Sequence, residues 1–135
     1  MYFVDTNVFL RFLTRDDEDK AHRCKALLFA ASEEKIRLYT TELVIAEIVW
    51  ILQSPKTYAL SPREIRDILL PLINIKNLFM PDKAKHTEAL DLYVKTEIDY
   101  IDAYHAIILK SKKIATVYSY DKHFDLLSGL KRIEP

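Results

Sequence analysis

Glycine is almost missing from this chain: Gly129 stands alone among 135 residues. Phosphate-cradling loops and dinucleotide fingerprints need several glycines, because the backbone must approach phosphate in conformations closed to other residues. Walker-type and Rossmann-type nucleotide binding are thereby excluded. Cysteine is equally scarce, since Cys24 has no second cysteine to pair with, so an internal disulfide is excluded. The histidines, His22, His86, His105 and His123, show no paired spacing of the zinc type. Any metal held by this chain would sit on oxygen. Net charge is missing too: 20 basic and 20 acidic residues cancel, and nothing in the balance demands nucleic acid or membrane. There is no charged-then-apolar leader and no apolar run long enough to cross a bilayer, which predicts a cytoplasmic protein without a membrane partner.

What is present is a hydrophobic content of 50%, enough for one well-filled core, and residues 1–135 are expected to form a single domain. Tyr2-Phe3-Val4 reads as a buried strand that stops at Asp5-Thr6-Asn7 and feeds a short helix from Asn7 to about Leu13. Acidic residues Asp16 to Asp19 then open a second helix running to about Glu34, where they suit the positive end of the helix dipole. Ile36 to Thr40 alternates as a strand, and Thr41 caps a helix that is apolar on nearly every side from Leu43 to Leu52. Ser61-Pro62-Arg63-Glu64 carries a cap, a proline at the first helical position and a capping-box Glu. A short strand at Leu78-Phe79-Met80 and a helix from about Asp82 to Glu97 follow, the latter with Ala84, Ala89, Leu90, Leu92 and Tyr93 inward and Lys83 in solvent. A further helix starts near Asp99, Ile114 to Tyr118 reads as a central strand, and Leu130 to Ile133 as a last one. Strands alternating with helical crossovers predict a three-layer α/β/α fold on a mainly parallel sheet.

In such a sheet the ligand crevice lies beyond the carboxyl ends of the strands. Asp5 and Asp121 each follow such an end, and Glu47 and Asp102 lie in early turns of helices that begin near it. Taken singly, each acid has a plain structural role: Asp5 as a helix cap, Glu47 in a buried ion pair, Asp121 in a turn. Glu47 is the hardest to dismiss, because a carboxylate inside an apolar helix is costly unless paired or metal-bound. Asp99 is assigned to capping, which leaves Asp102 for the site. Four carboxylates on one edge raise one another's proton affinity unless a cation compensates, and magnesium or manganese suits an all-oxygen donor set.

The residues that carry these acids resemble the PIN domain, a family of metal-dependent ribonucleases that includes the VapC-type toxins of type II toxin-antitoxin pairs. The matching stretches are Val4-Asp5-Thr6-Asn7-Val8, the T-x-x-V-x-x-E run from Thr41 to Glu47, Asp99-Tyr100-Ile101-Asp102-Ala103, and Ser119-Tyr120-Asp121-Lys122-His123-Phe124. They span nearly the whole chain, and Ser119 stands where threonine is commoner. The resemblance implies a PIN-like fold and a Mg2+- or Mn2+-dependent endoribonuclease. Asp5 and Asp102 would be the most direct metal ligands; Glu47 and Asp121 would serve a second metal or a water. Asn7 and Ser119 would fix the carboxylates through neutral hydrogen bonds, and Thr6 would turn either to the site or to the helix cap. The implied partners are RNA, a cognate antitoxin and a second copy of the chain, as a homodimer or higher homo-oligomer.

Metal-activated water needs neither a histidine base nor a covalent nucleophile, so the lack of a Ser-His-Asp or Cys-His arrangement fits this reading. Arg11, Arg15, Lys112, Lys113 and Lys122 are read as solvated charges and none is taken as a site residue. Phe12, Trp50, Ile51 and Tyr104 are read as ordinary core. Three other readings use the same acids. A receiver domain would need paired acids near the first strand, where Asp5 is alone. A haloacid-dehalogenase-like phosphatase would need an Asp where Asn7 stands. A PIN-like module that binds or processes RNA without a toxin role differs only in lacking or redirecting the cleavage.

Overall fold

The computed structural model describes residues 1–96 and 98–135, so the expected helix end at Glu97 lies outside the described residues. The chain forms two compact units, residues 1–83 and 84–135.

The first unit opens with strand β1 (Tyr2–Phe3), followed by helices α1 (Thr6–Thr14) and α2 (Glu18–Ser32), strand β2 (Leu38–Tyr39), helices α3 (Glu42–Gln53) and α4 (Pro62–Ile73), and strand β3 (Leu78–Phe79). The strands pair in the order β1-β2-β3, all parallel, with Tyr2 opposite Leu38 and Leu38 opposite Leu78. Parallel neighbours require helical crossovers, which α1–α2 and α3–α4 supply. Strands β2 and β3 each bury one residue, Leu38 and Leu78; just after β2 Thr40 is fully inaccessible, and its hydroxyl donates to the Val4 carbonyl at 3.0 Å. That bond fixes the chain just before Asp5.

Strand β1 departs from expectation. The sequence predicts a buried strand, yet Tyr2 and Phe3 are exposed and Val4 is inside; among the described residues of this unit β1 pairs with β2. Helix α3 departs in the same way. Val44, Ile45, Ile48, Val49 and Leu52 are buried, but Leu43 and Trp50 are exposed, and Glu47 lies with them one turn from each. Spacings of three and four residues put these side chains on one open helix face. Glu47 therefore carries no burial penalty of the kind its apolar neighbours suggested, and Trp50 is not core.

Local signals set the helix ends. Asp17 caps α2 through the Lys20 N–H at 3.0 Å, which shortens the expected helix at its start. The predicted capping box at α4 is complete, with Ser61 and Glu64 exchanging hydrogen bonds of 3.2 Å. Thr41 occupies the cap position of α3 without a side-chain cap bond.

Helix α5 (Lys83–Thr96) leads into the second unit, followed by α6 (Tyr100–Ser111), strand β4 (Thr116–Tyr118), a 3-10 turn (Lys122–Leu126) and strand β5 (Lys131–Ile133). Strands β4 and β5 are parallel and form their own two-stranded sheet, with Val117 opposite Arg132. Among the described residues of this unit β4 pairs with β5, and Thr116 and Tyr118 are exposed. The inward face of α5 differs from expectation. Ala84 is exposed, and the position one turn into the helix is taken by His86, fully inaccessible, with Nδ1 2.7 Å from the Tyr100 hydroxyl and its ring stacked on Tyr104. Lys83, expected in solvent, donates to the carbonyls of Ile75 and Leu78 at 2.9 Å each, and its partial burial lowers its pKa.

Candidate active site

In the first unit, Asp5 stands at the N-cap position of α1 with extended backbone, and its side chain makes no cap hydrogen bond. Its carboxylate is therefore not consumed by the helix end, where the backbone alone provides the first turn through Val8 N–H to the Asp5 carbonyl at 3.1 Å. Asn7 donates its side-chain amide to Asp5 Oδ2 at 3.3 Å, the orienting role anticipated for it. Thr6 resolves the choice left open by the sequence. It is buried, and its hydroxyl donates to Glu47 Oε2 instead of capping the helix. Glu47 is thus held by the residue next to Asp5, although 41 positions separate Thr6 from Glu47.

In the second unit, Asp99 stands at the N-cap position of α6 and also makes no side-chain cap bond. Its assignment to capping is corrected: the residue has the position of a cap and leaves its carboxylate unused for that purpose. Asp102 follows in the first turn, half-buried. Burial raises its pKa above the usual carboxylate range, and the neighbouring charges of Asp121 and Asp99 raise it further, opposed by His105 and His123. Asp102 and Asp121 are therefore electrostatic neighbours within this unit.

Asp121 is fixed by the turn that follows β4. The Ser119 hydroxyl accepts the Asp121 backbone N–H at 2.9 Å, and Asp121 Oδ1 accepts the His123 N–H at 2.9 Å and lies 2.9 Å from His123 Nδ1. Ser119 thus acts on the backbone of Asp121. Below the turn, Arg132 on β5 donates to the Ser119 carbonyl at 2.9 Å, to Asp125 at 3.1 Å and to Glu134 at 2.8 Å. Arg132 and His123 escaped sequence reasoning. His123 had a signal, two residues beyond Asp121 at the start of a turn; Arg132 had none, because only the β4–β5 register brings it to Ser119.

Among the described residues, no group of three or more His, Cys, Asp and Glu side chains is arranged to hold a metal ion. The chemistry of the donors fits a hard cation all the same. In the first unit Asp5 and Glu47 offer exposed carboxylates, and in the second Asp121 offers another beside half-buried Asp102, so each unit presents the oxygen donors that a hard cation takes.

The PIN domain model matches residues 2–130, so the chain belongs to the PIN domain family. Its described residues form six α-helices and parallel strands, the mixed α/β composition expected, consistent with a three-layer α/β/α fold. Among characterised proteins, a VapC ribonuclease of Aquifex aeolicus (strain VF5) is 27% identical over 135 residues, which covers 100% of this chain and 97% of that protein. Family membership favours the nuclease over the receiver and phosphatase readings. No helix among the described residues is long and apolar enough to cross a membrane.

Proposed function

We propose that this protein is a Mg2+-dependent endoribonuclease, the toxin of a toxin-antitoxin pair, working as a single nuclease domain across residues 1–135. The observation that carries the reading is a pair of acids held by adjacent neutral donors just beyond β1: Asp5, bonded by Asn7, and Glu47 on α3, bonded by Thr6. The full-length similarity to a VapC ribonuclease supports the substrate and the toxin role. Asp5 and Asp102 would be the direct ligands of magnesium or manganese, and Glu47 and Asp121 would serve a second ion or a water. When bound, the ion supplies a water of lowered pKa and neutralises charge growing on the phosphoryl oxygens. Asn7, Thr6 and Ser119 keep the acids in place, so little reorganisation accompanies the reaction. The products are those of phosphodiester hydrolysis with departure of the 3′ oxygen.

The protein acts in the cytoplasm, as a homodimer or higher homo-oligomer, and is held inactive by its antitoxin. Incubation of unstructured RNA with purified protein and 5 mM magnesium, roughly a saturating level for an assay of this kind, tests the reading. Wild type cleaves, and Asp5→Asn and Asp102→Asn fall by at least about 10²-fold while remaining folded. Full activity in either variant contradicts the site assignment.

A further inference from the structure

A groove of about 420 Å³ runs between α1 and α2 in the first unit, lined by Asn7, Val8, Arg11, Lys20, Arg23 and Cys24. Asn7 and Arg11 are one turn apart on α1, and Lys20, Arg23 and Cys24 share one stripe of α2, so two helix faces converge on one trough. The trough carries three cations and no acid, in a chain whose overall charge is zero. At one end Asn7 donates to Asp5. Arg11 is paired with Asp16 at 3.0 Å and Lys20 with Asp17 at 3.4 Å, both at the surface, where such pairs contribute little and yield readily to a better anion.

From this arrangement we propose that the α1–α2 groove binds the phosphate backbone of single-stranded RNA and leads it to Asp5, with Arg11, Lys20 and Arg23 as the phosphate contacts. The proposal rests on the ribonuclease reading above and extends it to residues that bind substrate without touching the scissile bond. Contacts of this kind position a strand without reading its bases, so they affect all sequences alike. Arg23 is the sharpest probe, because it is exposed and, unlike Arg11 and Lys20, is not seen in an ion pair among the described residues.

The test is fluorescence anisotropy of a labelled single-stranded RNA with the full-length protein in EDTA, over a range of salt, for wild type, Arg11→Gln, Arg23→Gln and Lys25→Gln. Lys25 lies on the same helix but lines a separate apolar groove with Phe12, Leu28 and Phe29. The expected result is a log K against log salt slope shallower by about 0.7 for each of Arg11→Gln and Arg23→Gln, with Lys25→Gln like wild type. If wild type binds RNA and both arginine variants keep its affinity and slope, the groove assignment is overturned while the ribonuclease reading stands; that outcome leaves the cations for an acidic protein partner. If wild type neither binds nor cleaves RNA, both readings fall.

Discussion

Asp5 and Glu47, in the first unit, are served by neutral donors from adjacent residues, Asn7 and Thr6, whereas Asp102, in the second, faces the further carboxylates Asp99 and Asp121. The two regions solve opposite problems. The first holds exposed acids in a fixed orientation by hydrogen bonds that add no charge. The second half-buries a carboxylate, which by itself raises its proton affinity, and sets two further acids near it that raise it more. Orientation is sensitive to loss of a donor; concentrated charge is sensitive to pH and to cations.

The largest effect expected from breaking this contrast is on the first unit's acid pair. Glu47→Gln lowers magnesium-dependent cleavage by about 10²-fold, and Thr6→Val, which removes the hydroxyl holding it, by about tenfold. Thr6→Ser restores most of the rate. Because Glu47 is exposed and can be solvated, Thr6→Val costs only about 1 kcal/mol in urea unfolding, so kinetics and stability separate. A loss of stability that accounts for the rate loss would reduce Thr6 to a packing residue.

In the second unit the support is more distant. Arg132→Met frees the Ser119 carbonyl and is expected to reduce cleavage by about tenfold, with Arg132→Lys intermediate because one ammonium cannot reproduce a guanidinium fork. Unchanged cleavage by Arg132→Met would show that the β4–β5 turn keeps its shape without the arginine.

The smallest effect expected is on stability. Folding raises the proton affinity of Asp102, so the folded state binds more protons than the unfolded one between the ordinary and the raised pKa. Stability therefore falls as pH rises through that window, and the penalty is fully present at neutral pH. Asp102→Asn, which cannot ionise, melts above wild type at pH 7, and the difference vanishes as the pH drops below the ordinary carboxylate range. A lower melting temperature at pH 7 would mean that the acid is a net stabiliser without metal.

Much of this was legible in the residues themselves. The order of strands and helices and the Ser61–Glu64 capping box follow from local chemistry, while the part expected of Asn7 came with the family resemblance. What the residues could not show depended on distant neighbours. Apolar content alone made β1 and the whole of α3 look buried, because exposure of Tyr2, Phe3, Leu43 and Trp50 depends on which faces meet other elements. Asp99 looked like a cap since its position is that of one, and only side-chain geometry shows the carboxylate elsewhere. Lys20 and Arg23 were passed over for the same reason: their facing of Arg11 depends on how α2 packs on α1.

The central claim is that these carboxylates form a divalent-metal enzyme, and calorimetric titration of the full-length protein with manganese tests it most directly. The account predicts saturable binding that releases protons near the raised pKa of Asp102 and is lost in both Asp5→Asn and Asp102→Asn. Binding of undiminished affinity in those two variants, or no binding by wild type, would contradict it.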